Sequence, residues 1–92
     1  MPRVTIELPS ALSVVVGDDL RFELEAGTLE ETLERLVERH PTLRGSLFDE
    51  TGGFREHVLC YHNKTSTRWL ESLATPVADG DVVRILQAVS GG

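Results

Sequence analysis

Residues 20–41 read LRFELEAGTLEETLERLVERHP, and partway along this stretch the hydrophobic period changes from two to 3.6. Leu20, Phe22 and Leu24 alternate with Arg21, Glu23 and Glu25, the pattern of a strand buried on one face. Ala26-Gly27 interrupts it. Thr28-Leu29-Glu30-Glu31 then reads as a capping box, in which the Thr28 hydroxyl accepts from the Glu31 amide and the Glu31 carboxylate reaches back. Leu29, Leu33, Leu36 and Val37 fall on one helical stripe, with Glu30, Glu34, Arg35 and Glu38 facing water. Arg39 and His40 sit at the negative end of the helix dipole, and Pro41 disfavours helical geometry at His40. The stretch therefore predicts a strand, a turn and a helix of about three turns, roughly 18 Å long.

Working outward, residues 3–8 place Val4, Ile6 and Leu8 on one face and Arg3, Thr5 and Glu7 on the other. This is a first strand, ended by Pro9-Ser10. An irregular stretch with the apolar run Val14-Val15-Val16 leads to Gly17-Asp18-Asp19, whose turn chemistry sets the second strand antiparallel to the first. After the helix, Leu43, Leu47 and Phe48 are expected to pack under the sheet as a short turn or helical fragment, and 49–53 to form an exposed loop. His57 to His62 resumes as a strand, Asn63 to Thr67 is polar and turn-like, and Trp69-Leu70 is apolar again. Asp79-Gly80-Asp81 is a tight turn into a last strand from Val82 through Val89, with Val83 and Ile85 facing the core. The order predicts an α+β fold over residues 1–92 as one domain: a mixed sheet with one main helix across one face.

Composition narrows the function. Hydrophobic residues make up 40% and charged residues 26% of the 92, a balance that predicts a folded soluble chain. The formal net charge of −6 repels a phosphate backbone, so no nucleic-acid partner is expected, and it favours a basic docking surface on another protein. No apolar run is long enough to cross a bilayer, and Met1-Pro2-Arg3 does not open a secretory signal, so neither a membrane partner nor export is expected and the location is read as cytoplasmic. A single cysteine, Cys60, allows no internal disulfide and fits a reducing compartment. No Ser-His-Asp set, metal cluster or phosphate loop is visible, so the chain does not read as an enzyme, and no metal site is assigned.

The chain ends Gln87-Ala88-Val89-Ser90-Gly91-Gly92. Two glycines at a terminus contribute no packing and cost backbone entropy, so their use is to be thin and flexible. Four extended residues reach on the order of 13 Å, enough to carry a carboxylate into the pocket of another protein.

On these residues the sequence resembles the ThiS/MoaD sulfur carriers, prokaryotic relatives of ubiquitin with the β-grasp fold. The resemblance rests on Glu25-Ala26-Gly27-Thr28 before the helix, His40-Pro41 after it, Asn63 at a strand turn, the segment from Thr75 through Asp81, and Gly91-Gly92. Many members carry proline where Gln87 stands and alanine or threonine where Ser90 stands. The resemblance implies a ubiquitin-like β-grasp with first and last strands parallel at the sheet centre and a tail over residues 89–92. It also implies that an E1-like adenylating enzyme (ThiF/MoeB-like) uses ATP to form an acyl adenylate on Gly92. The adenylate becomes a thiocarboxylate and a downstream sulfur-accepting synthase takes the sulfur, for cysteine, molybdopterin or a similar product. Val89, Ser90 and Gly91 would enter the partner's active site with Gly92. No cofactor is expected on the carrier itself. Two other functions fit the same fold: a ubiquitin-like modifier conjugated through Gly92, or a non-covalent β-grasp interaction module.

Leu59, Tyr61, Leu70 and Leu86, with Arg68 at the rim, are the candidate docking face, since a sheet covered by one helix leaves its other side open. The alternative is ordinary packing against the loop before His57. Cys60 alternates with Val58 and His62 and reads as a buried thiol; a metal pair with His62 or a thioester acceptor is the other reading. His40 and His57 read as surface residues at element ends.

Overall fold

The fold follows from two alternating strands and one amphipathic helix finding a common apolar layer. In the computed structural model, which describes residues 1–70 and 72–87, β1 (Arg3–Glu7) is followed by a 3-10 turn at Ser10–Leu12 and a short helix α1 (Ser13–Val16). Then come β2 (Arg21–Glu25), α2 (Leu29–Arg39), α3 (Leu43–Leu47), β3 (Val58–His62), β4 (Thr65–Ser66) and β5 (Val82–Gln87). The strands form one mixed sheet in the order β2-β1-β5-β3-β4, with β1 and β5 parallel and the other neighbours antiparallel. This is the ubiquitin-like β-grasp arrangement, with α2 across one face.

The apolar stripe of α2 is what closes the core. Leu29, Leu33, Leu36 and Val37 are buried against Val4 and Ile6 of β1, Val83 and Ile85 of β5, and Val58 and Cys60 of β3. The short α3 adds Leu43 and Leu47, both fully buried, so the expected helical fragment is present. Half-buried Phe48 stacks on Phe54 with ring centroids 4.9 Å apart and covers the end of this layer.

The start of α2 leaves none of its first four amides unpaired. Leu29 N–H donates to the Thr75 carbonyl (3.0 Å), Glu30 N–H to the Leu73 carbonyl (2.8 Å), Glu31 N–H to Thr28 Oγ1 (3.1 Å) and Thr32 N–H to the Thr28 carbonyl (2.9 Å). The Glu31 carboxylate reaches back as expected of a capping box, but its partner is the Gly27 amide at 3.0 Å, one residue before the cap. The helix start is thus sewn to residues 73–75 as well as to its own cap.

Its other end is held by a cluster that local patterning does not show. Asp19, in the connection before β2, accepts from Arg39 Nε (2.7 Å) and Nη2 (3.1 Å), and His40 Nε2 lies 2.5 Å from the same carboxylate. Arg39 also sits 4.1 Å above the Phe22 ring, and the His40 ring tilts against Phe22. His40 is therefore a tertiary contact between helix and sheet, not a free surface residue. The Arg39 guanidinium is the main cause of the low Asp19 carboxyl, which is brought down to about 2.

The irregular stretch before Gly17 is in fact helical. Of its three valines Val16 is buried, Val15 packs partly on the core and Val14 is 90% exposed. The strand expected from His57 begins at Val58, His57 itself is exposed, and the polar segment 63–67 contains the two-residue β4 beyond its turn. Replacing Leu36, which has no exposed surface, with alanine is expected to lower unfolding stability by about 2–5 kcal/mol, whereas Val14→Ala changes it by less than about 0.5 kcal/mol. Urea denaturation of the two variants checks this.

Candidate functional site: the open sheet face and the last strand

Because side chains alternate, burying Val83 and Ile85 of β5 commits Val82, Arg84 and Leu86 to the sheet face opposite α2. The same rule turns Leu59 and Tyr61 of β3 outward beneath buried Val58 and Cys60. Register then fixes the neighbours: Leu59 lies beside Leu86, and Tyr61 beside Arg84. Leu86 is 38% exposed, and Leu59 and Tyr61 are half-buried. These three expected docking residues do share one face.

Leu70 does not join them. The chain makes a 3-10 turn at Thr67–Trp69, in which the Ser66 hydroxyl accepts from the Arg68 amide at 3.3 Å, and the turn carries Leu70 onto the core cluster. Exposed Arg68 and half-buried Leu70 line a cavity of about 410 Å³ beside β3. The patch expected from sequence is therefore split between the open face and this edge cavity.

A charged row crosses the open face next to the apolar residues. Arg84 Nε donates to Glu7 Oε1 at 2.8 Å, and Arg21 Nη1 lies 3.0 Å from Glu7 Oε2, so one carboxylate on β1 joins β2 to β5. Sequence reading missed this row, although the parallel pairing of β1 with β5 sets Glu7 opposite Arg84 once it is drawn. With Arg21 and Arg84 largely solvent-exposed, the row contributes little stability and mainly fixes where charge is presented.

Cys60 is the buried thiol expected. Desolvation pushes it up to about 11 despite a hydrogen bond with Thr67, so it is a protonated thiol at neutral pH and a poor nucleophile. His62, its suggested metal partner, has its Nε2 2.6 Å from Asp81 Oδ2. Among the described residues no three His, Cys, Asp or Glu side chains are grouped to hold a metal ion. Nor, among the described residues, is any helix long and apolar enough to cross a membrane.

Two motifs singled out separately in the sequence meet at the start of β5. Asp79 Oδ1 accepts from the Arg3 amide (2.8 Å), Gly80 N–H donates to the Arg3 carbonyl (2.9 Å), and Thr5 N–H donates to the Asp81 carbonyl (2.9 Å). Gly80 holds φ +90°, a conformation that L side chains rarely adopt. From the other side Asn63, at φ 57°, donates its amide N–H to the Val82 carbonyl (2.7 Å) and accepts at Oδ1 from Val82 N–H (2.9 Å). Asp81 completes the bracket by accepting from the Ala78 amide (2.9 Å), from Asn63 Nδ2 (3.2 Å) and from His62. These groups set the register of β5, and so decide which of its residues face outward. Gln87, the last described residue of β5, pairs with Val58; the remainder of the strand expected to run through Val89, and the expected tail residues Val89, Ser90, Gly91 and Gly92, lie outside the described residues.

The model of the ThiS family matches residues 6–92. A curated relative, the sulfur carrier protein CysO of Mycobacterium tuberculosis, is 32% identical over 91 residues, covering 97% of this chain and 98% of that protein. Among solved structures, a chain of the Amycolatopsis orientalis BexX/CysO complex superposes with a TM-score of 0.83 at 29% identity, covering 97% of this chain and 99% of the other. The small archaeal modifier protein 1 of Methanosarcina acetivorans gives 0.81 at 28% identity, covering 100% and 98%.

The Asp81 carboxyl is held below its ordinary value of 3.8, chiefly by the Ala78 amide and then by His62. A lowered native value means that its stabilisation is complete above the ordinary value and is lost as pH falls below it. Asp81→Asn is expected to cost about 1–3 kcal/mol at neutral pH and to flatten the loss of stability below about pH 4. Denaturant unfolding of both proteins across that range measures it.

Proposed function

Since the chain belongs to the ThiS family, we propose that it is a sulfur carrier whose reactive group is the Gly92 carboxylate. The observation that carries this reading is full-length similarity to a sulfur carrier, with a family match that runs through the Gly91-Gly92 pair. Support also comes from the body of the protein: its thiol is buried and protonated, and His40 and His62 are each engaged by an aspartate. It is a co-substrate and not a catalyst.

In this proposal an E1-like adenylating enzyme of the ThiF/MoeB type binds ATP, and the Gly92 carboxylate attacks its α-phosphorus. Pyrophosphate leaves and an acyl adenylate remains. A sulfide equivalent attacks the acyl carbon, the C–O bond to AMP breaks, and a thiocarboxylate is left on Gly92. Its sulfur then attacks the electrophile bound by a downstream synthase. The carrier supplies reach, through Val89, Ser90 and Gly91, and a body that partners recognise through Leu59, Tyr61 and Leu86, with Arg68 at the adjoining edge. The stabilisation of phosphate charge belongs to the activating enzyme. Similarity to CysO favours cysteine over molybdopterin as the destination of the sulfur. One buried thiol fits a cytoplasmic, reducing setting.

A second reading has its own support in the similarity to an archaeal protein named as a modifier. A modifier shares the adenylate but transfers the acyl group to a lysine amine. Intact-mass spectrometry of the protein recovered from its cells, with and without the activating enzyme, separates the two. The carrier is expected to gain about 16 mass units as oxygen is replaced by sulfur, and deletion of Gly91-Gly92 to abolish the gain. Larger covalent conjugates ending on Gly92 would instead establish the modifier. Unaltered function after the deletion would leave only a non-covalent interaction module.

A further inference from the structure

The charge of this protein is not spread evenly over its two faces. On the open face Arg3, Arg21 and Arg84 offset Glu7, Glu23 and Glu25. The opposite side carries a groove of about 610 Å³ between α2, α3 and the turn that follows Phe48. Its floor is apolar, formed by Leu33 and Val37 of α2 with Phe48 and Leu73. Its rim holds Glu30, Glu34, Asp49 and Glu50 against Arg44 alone, a local excess of three negative charges in a chain whose formal total is −6. Glu30, Glu34 and Glu50 make none of the described side-chain hydrogen bonds or ion pairs.

We propose that this groove is a second docking site, which takes an amphipathic segment of another protein: aliphatic side chains on the floor, lysine or arginine along the rim. The volume falls within the range of ligand-sized clefts and accommodates several aliphatic side chains. The rim selects for cations through complementary potential. A second copy of this chain is disfavoured there, because each copy brings the same net negative charge. The walls are firm: Leu33 and Val37 belong to the core, Leu73 is tied to the start of α2 through its carbonyl, and the Asp49 carboxylate braces the turn by accepting from the Thr51 and Gly53 amides. The groove lies across the sheet from Leu59 and Leu86, so it can be occupied while the open face is engaged, and it does not depend on the chemistry proposed for Gly92.

The test uses the full chain and a synthetic helical peptide with leucines on one face and lysines on the other, beside the same peptide with glutamate in place of lysine. Amide shifts in two-dimensional NMR are expected to move along Glu30, Glu34 and the residues from Arg44 to Gly52 with the lysine peptide, and to stay in place with the glutamate peptide. Glu34→Lys combined with Glu50→Lys is expected to weaken binding at least about tenfold, while Glu23→Lys combined with Glu25→Lys, the same charge change on the open face, shifts it less than about twofold. All four positions are solvent-exposed, and matched thermal unfolding confirms that both variants fold. Equal weakening by the two pairs, shifts centred on Leu59 and Leu86, or equal binding of the glutamate peptide would each overturn the proposal.

Discussion

The parallel pairing of β1 with β5 is the contact on which the rest of the structure depends. Parallel strands cannot be joined by a tight turn, so β1 and β5 meet only after everything between them has been laid down. No local preference sets their register. It is imposed by the bracket at the start of β5, where Asp79, Gly80 and Asp81 bind the backbone of Arg3 and Thr5 on one side while Asn63 binds Val82 on the other. A slip of one residue would turn Arg84 and Leu86 into the core and bring Val83 and Ile85 out to water. The bracket therefore decides core and open face together.

That dependence explains the limits of sequence reading. The alternations Val4-Ile6 and Phe22-Leu24 and the stripe from Leu29 to Val37 report short-range geometry, so the strands, the helix and its cap were legible. From these the β-grasp order followed. What stayed hidden depends on partners distant in sequence. His40 is held by Asp19 and His62 by Asp81, and no local pattern around either histidine marks it as paired. A strand of two residues such as β4 cannot display a period. Leu70 is apolar whether it faces solvent or core, and only the 3-10 turn before it settles the question in favour of the core. For the tail, the reading came from the Gly91-Gly92 pair together with the family resemblance, and those residues lie outside the described ones.

The body of the protein keeps its own reactive groups quiet. Burial raises the Cys60 thiol to about 11, so thiolate is scarce at neutral pH. The same low-dielectric layer that stabilises the fold thus holds the one cysteine thiol in its protonated form. Two of the three imidazoles bind carboxylates and so join elements: His40 ties the end of α2 to Asp19 before β2, and His62 ties β3 to Asp81 in the turn before β5.

Segregated charge adds a further constraint. The Arg21–Glu7–Arg84 row pairs its charges internally, so the open face presents the apolar side chains Leu59 and Leu86 beside a row of little net potential. The excess of negative charge lies on the α2 side, where Glu30, Glu34, Asp49 and Glu50 border the groove against Arg44. Attraction to this charge raises encounter rates but is screened beyond about 8 Å at physiological ionic strength, so it acts on surfaces that come close to that side. A partner that bears on the open face alone would feel little of it. One that enters the proposed groove would be drawn in by charge and held by the apolar floor, independently of what the open face contacts.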